Sequence, residues 1–178
     1  MRPKVLLAVL AVVLLITALL VVPPATREIT FVGASGVSHD GAGGRTVHIN
    51  TCGERITRVD VEQGDLEATW TADEPFSGVA SFALGAAAPE GWTLEDNGED
   101  GDVDKRIVVR ATLHDRPDTH HFRTTEVDAA ELDYLEPGRI ATGPPAAHGD
   151  RLIYQPERFA TDCPGPVNYS PGLGSNFS

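Results

Sequence analysis

With 178 residues the chain has room for one ordinary domain and flanking segments. Its formal charge of −12, from 26 acidic against 14 basic residues, argues against nucleic acid and anionic headgroups as partners, because both are repelled. Basic partners and metal cations stay open.

The amino terminus reads "MRPKVLLAVLAVVLLITALLVVPPATRE". Arg2 and Lys4 precede an apolar run from Val5 to Val22. As a helix at about 1.5 Å per residue, that run is about 27 Å long, close to the thickness of a bilayer core. The best cleavage point, after Ala25, places Pro23 at a poorly suited position, so residues 1–26 are expected to stay attached as a membrane anchor rather than leave as a signal segment. Positive-inside orientation then puts everything after Arg27 outside the cell membrane, with a secreted product as the alternative. Without residues 1–26 the charge falls to about −14, since that segment carries two cations and no acid.

Residues 28–32 and 46–49 look like short strands. Between them the glycine-rich Gly33–Arg45 lacks the Gly-Lys-Ser/Thr ending of a P-loop and is expected to be a flexible connector. "ITRVDVEQGDLEATWTAD" alternates with period two and forms a hairpin. Pairing Val61 with Leu66 across a Glu62–Asp65 loop aligns Val59 with Ala68 and Thr57 with Trp70. "GVASFALG" points Ala80, Phe82 and Leu84 inward, and "GWTLED" puts Trp92 and Leu94 on one face.

Next comes "LEDNGEDGDVDKR", with six carboxylates in one glycine-punctuated stretch. Set against a calcium-binding EF-hand loop starting at Asp96, it has Asp100 and Gly101 in the right places, but Gly98 at the third position and Ile107 where a bidentate Glu belongs. Asp96, Asp100 and Asp102 are therefore candidates only for a weak calcium loop. The preferred reading is an exposed connection between a strand ending at Leu94 and another containing Ile107.

"KRIVVRATLHD" aligns Ile107, Val109, Ala111 and Leu113, and "HHFRTTEV" is expected to return as its partner. Pairing Leu113 with Phe122 would set His114 opposite His121, and β-carbons about 5 Å apart let two imidazoles share a transition metal. Asp115 and Asp118 lie in the intervening turn. "TEVDAAELDY" can close a helical turn capped by Thr125 or Asp128. "LIYQPERFATDC" supplies a last strand or two, and residues 164–178, rich in Pro, Gly and Ser, read as a disordered tail.

Only two cysteines occur, Cys52 and Cys163. In an oxidising compartment such a pair is expected to bridge, and so long a loop is worth about 4–5 kcal/mol in the chain-entropy model. The spacing carries no zinc signal.

Short strands with turn chemistry between them, and little helix, point to an all-β chain. The expected fold is an antiparallel β-sandwich, immunoglobulin-like in the broad sense, over residues 27–163 and behind a transmembrane helix. Cys52, Gly53, Ile56, Val59, Val61, Trp70, Gly85, Pro89, Gly91 and Trp92 form a pattern of Cys-Gly, alternating strand, Trp-bearing strand and Pro-x-Gly-aromatic turn. It resembles uncharacterised membrane-anchored or secreted β-sandwich proteins of high-GC Gram-positive bacteria. The resemblance implies location and fold, and no activity.

No Gly-x-Ser-x-Gly, Ser-x-x-Lys or His-Glu-x-x-His motif is present, so no catalytic residue is nominated. The expected function is a non-catalytic, anchored binding or assembly module with an envelope protein as partner and no cofactor. The competing reading is a secreted cation-binding module or cell-envelope hydrolase that uses the acidic stretch or the histidine pair, with calcium or a transition metal.

Overall fold

The computed structural model describes residues 29–97, 105–114, 120–143, 152–163 and 167–169. These belong to one compact unit, Ile29–Tyr169. The chain is mostly β. Its strands are β1 (Ile29–Val32), β2 (Ala34–His39), β3 (Arg45–Asn50), β4 (Ile56–Gln63), β5 (Leu66–Phe76), β6 (Val79–Ala83), β7 (Trp92–Asp96), β8 (Ile107–Leu113), β9 (His120–Phe122), β10 (Thr125–Val127), β11 (Ile140–Thr142), β12 (Leu152–Tyr154) and β13 (Val167–Tyr169). Among the described residues two short helices join them, α1 (Ala129–Asp133) and α2 (Pro156–Thr161).

Two five-stranded antiparallel sheets, ordered β10-β8-β4-β5-β7 and β12-β11-β2-β3-β6, share one apolar core, an arrangement consistent with a β-sandwich. Alternation builds that core: Val37, Val47, Ile49 and Phe82 from one sheet meet Val59, Val61, Trp70 and Val109 from the other. Phe82 bridges the sheets, with its ring centroid 5.1 Å from Trp70 and 4.9 Å from Trp92, the latter edge-on. Leu132 of α1 enters the same core.

A third sheet of three strands, β13-β1-β9, goes beyond the antiparallel expectation, because β1 and β9 run parallel. The chain passes from β1 to β2 at Gly33, whose φ of +67° suits glycine, and a Cβ there would lie 2.2 Å from the Phe122 ring.

The hairpin of β4 and β5 forms, with a register two residues from the expected one. Val61 faces Ala68, Val59 faces Trp70, and Gln63 faces Leu66. The turn is the two-residue Gly64-Asp65, with positive φ (+62°) at glycine alone, the pattern of a type II′ turn matched to strand twist. A shift of two preserves which side chains face inward, so alternation could not distinguish the registers. Asn97 secures this turn: its side-chain nitrogen donates to the Asp65 carbonyl (2.6 Å), and its oxygen accepts the Glu67 N–H (3.2 Å). β7 therefore continues through Asp96 rather than ending at Leu94. At the other end of β4 a bulge at Thr57 buries Ile56 instead.

The expected hairpin between Leu113 and Phe122 is absent. Leu113 lies opposite Ile56 on β4, Phe122 lies opposite Val32 on β1, and β8 runs antiparallel between β4 and β10, with Val109 facing Thr125. The apolar positions alternate as expected on β8, but "TEV" rather than "HHF" returns along it. Asp128 occupies the N-cap position of α1, yet its carboxylate accepts from Arg106 Nε (3.0 Å) instead of capping. In the last segment, the expected strands resolve into β12 followed by helix α2, which Pro156 opens.

The largest departure is β2. The segment read as a flexible connector contains a strand buried at all six positions, paired to β3 along its full length and to β11 at Gly36 and Val37. Val37 points into the common core, whereas Ala34 packs with Ile140 and Phe159 on the opposite face. A Cβ on Gly36 would stand 2.4 Å from Ile140 Cγ2 and 3.0 Å from the Ala141 carbonyl oxygen. Gly36→Ala is expected to lower stability by about 1–3 kcal/mol in denaturant melts, through overpacking rather than backbone strain.

Candidate functional site

The outer face of the β2 sheet carries a network of hydrogen-bonded polar side chains. In "RTVHIN" the alternation that buries Val47 and Ile49 in the common core turns His48 and Asn50 to the other side. His48 Nε2 lies 2.8 Å from Ser38 Oγ of β2, and its Nδ1 lies 2.9 Å from Ser81 Oγ of β6. One hydroxyl donates to the bare ring nitrogen and the other accepts from its N–H, so the neutral imidazole satisfies both. The ring also meets Phe159 of α2 edge-on at 6.1 Å. Burial lowers the His48 pKa to about 4, from an ordinary 6.5.

A hydroxyl–imidazole–hydroxyl chain has the outline of an acyl-transfer site, but its parts do not serve that role. Ser38, the candidate nucleophile, is 6 % exposed. The third group is a serine rather than a carboxylate, so nothing in the chain stabilises an imidazolium. The arrangement pins three strands together.

Asn50 extends this network toward α2. Its side-chain nitrogen donates to the Phe159 carbonyl at 2.7 Å and to the Ala160 carbonyl at 3.3 Å, while its oxygen accepts the Cys52 N–H at 3.0 Å. The disulfide between Cys52 and Cys163, with Cα atoms 5.4 Å apart, closes the end of α2 onto the turn after β3. Phe159 is buried against Ala34 and Ile140, with Tyr154 beside it.

Beside α2 runs a groove of about 250 Å³, lined by β12, Arg139, Arg158 and Asp162. β12 lies at one end of its sheet order and presents Leu152, 44 % exposed, and Ile153, 50 % exposed. Both arginines have partners: Arg139 pairs with Glu136 (3.0 Å) and Arg158 with Asp162 (3.3 Å). A second hollow, of about 320 Å³, lies on the solvent side of the other sheet. Four of its charges are tied in pairs: Asp60 accepts from Arg58 Nε (2.6 Å) and from the Thr69 hydroxyl (2.8 Å), and Arg110 pairs with Glu62. Such exposed pairs add little stability and leave few groups free to grip a ligand.

Of the residues nominated from sequence, Cys52 and Cys163 are joined. His114 and His121 are not cross-strand partners. The His114 N–H donates to the Arg55 carbonyl (2.7 Å) just beyond β8, whereas His121 lies on β9 beside Phe31, at a ring distance of 6.3 Å. Asp96 ends β7 opposite Ala68. Asp100, Asp102, Asp115 and Asp118 fall outside the described residues. Among the described residues no group of three or more His, Cys, Asp or Glu side chains is placed to hold a metal ion. Sequence reading passed over His48, Ser38 and Asn50, and the polar face of "RTVHIN" was the signal that could have found them.

Comparison with protein-family models, curated proteins and solved structures finds no match.

The His48 environment fixes a pH dependence. The folded chain favours neutral imidazole, whereas the unfolded chain binds a proton near pH 6.5. Between 6.5 and about 4 the unfolded state therefore holds more protons, and stability falls as pH is lowered through that window. Denaturant midpoints at pH 7.5 and 5 should differ for the native chain, and the difference should shrink in His48→Gln.

Proposed function

We propose that this chain is a single-pass, membrane-anchored protein that displays a non-catalytic sandwich, immunoglobulin-like in the broad sense, outside the cell membrane, where it binds an envelope protein. The observation that carries the binding reading is β12. Two large apolar side chains stand about half exposed on a strand at the end of its sheet order, within a groove. Single exposed apolar residues are common on protein surfaces, but a strand at a sheet edge that carries them favours association. An extended segment can add to such an edge through main-chain hydrogen bonds, with side-chain contacts supplying selectivity.

Location is supported by two separate features. The disulfide is of the kind that forms and persists in oxidising compartments. The apolar run Val5–Val22, with Arg2 and Lys4 before it, has the length and charge placement of an anchor. Residues 1–28 lie outside the described residues, and among those described no helix is long and apolar enough to cross a membrane.

Both halves of the proposal can be tested on the full chain in cells. A carboxyl-terminal tag should be reachable by external protease in a membrane-bound product that retains Met1, and a soluble product beginning near Thr26 would overturn the anchor. A photo-crosslinker at Leu152 should capture an envelope protein, and Ile153→Asp should reduce capture about tenfold or more by placing a charge at the contact. Equal capture by both forms would rule out this edge as the binding surface.

A further inference from the structure

Among the described residues α2 is the one helix laid across the outer face of the β2 sheet, and its six residues are too few to hold a helix unaided. Three attachments keep it there. Phe159 is 2 % exposed over Ala34 and Ile140, Asn50 donates to two α2 carbonyls, and Cys163 is bonded to Cys52. No residue of α2 belongs to the common core of Trp70, Phe82 and Trp92. The cover is therefore separable from the part of the molecule that holds the two sheets together.

The covalent attachment sits at an accessible and strained corner. Cys163 is exposed. Cys52 has φ +53°, the one positive value at a non-glycine residue among the described residues. An L-residue held there loses of the order of 1 kcal/mol relative to ordinary backbone. The neighbouring Asn50 couples the two sides, since one amide group accepts from Cys52 and donates to α2. Freeing Cys52 to relax loosens the group that holds the helix.

We propose that the Cys52–Cys163 disulfide is a redox-sensitive latch on α2, opened by a dithiol reductant such as a thiol–disulfide oxidoreductase, so that α2 lifts while the two-sheet core stays folded. The reductant's thiolate attacks the sulfur of Cys163, the more exposed of the two residues. The Cys52–Cys163 bond breaks, and its electron pair leaves on the Cys52 sulfur, which takes up a proton. The reductant's second thiolate then attacks its own sulfur in the mixed disulfide and departs as a disulfide, and the Cys163 thiolate is protonated. Two electrons and two protons pass to the chain. The helix opens as a flap between β12 and β13, uncovering Ala34, Ile140 and the His48 ring. Arg158 and Asp162 also line the β12 groove, so opening alters that groove, but the latch does not depend on the groove's being a binding surface.

Limited trypsin digestion of the full chain in detergent tests this, because Arg158 lies within α2 with its side chain 74 % exposed. The oxidised chain should resist cleavage after Arg158. Treatment with dithiothreitol should speed that cleavage about tenfold or more while Trp70 and Trp92 emission stays unchanged. The Cys52→Ser, Cys163→Ser double variant should show the fast rate without reductant. An unchanged cleavage rate after complete reduction would overturn the latch. So would a tryptophan shift that accompanies cleavage, because the cross-link would then hold the whole fold rather than a flap.

Discussion

β2 has no solvent face. All six residues from Ala34 to His39 are buried, and its backbone is paired with β3 on one side and β11 on the other. A strand in that position needs two covers, whereas the opposing sheet supplies only one. The second cover comes from α2, through Phe159 over Ala34 and Ile140, and its fastenings follow from that need. Asn50 satisfies two helix carbonyls, and the disulfide closes the helix end onto the turn after β3. The close packing also fixes the strand's composition, since glycine alone fits beneath Ile140.

Most polar groups brought inside by this arrangement are matched, although Arg45 Nε is buried without a hydrogen-bond partner. Ser35 donates to Thr125 (2.9 Å) or to the Arg123 carbonyl (2.9 Å), while Thr125 donates to the Ser35 carbonyl (2.7 Å), which ties β2 to β10 across the two sheets. At the far end His39 Nε2 meets the Leu135 carbonyl at 2.9 Å, and the buried Arg45 reaches Asp133 of α1 at 2.7 Å. The Arg45 guanidinium holds the Asp133 carboxyl below its ordinary range, though the exposure of that carboxylate keeps the energetic return small. Mutual satisfaction of this kind explains why so many serines and histidines produce no obvious reactive centre.

The parts legible in sequence were those governed by one local rule. Period-two alternation located β4, β5, β6 and β8 and their inward faces, and two cysteines in a chain read as external predicted their bridge. β2 was hidden because its side chains are small and polar, so a two-face-buried strand looked like a glycine-rich connector. The β4–β5 register was hidden because a shift of two changes no face, and only the Gly64 turn decides it. The pairing of His114 with His121 failed because β9 joins β1, a contact between segments about 90 residues apart that no local pattern encodes. Pro156 followed by Glu157 was a readable helix-start signal that the strand-like "LIY" before it masked. The His48 network needed three strands in register before its members could be recognised as neighbours.

The account rests on β2 as the doubly covered centre of its sheet, and amide hydrogen exchange measures that directly. The amides of Ser35 through Ser38 should exchange only through global opening, as slowly as the most protected amides of β4, and more slowly than those of β12 at the end of the sheet order. Exchange at β2 as fast as at β12 would show that the strand opens locally, and would contradict the claim that α2 and its fastenings exist to cover it.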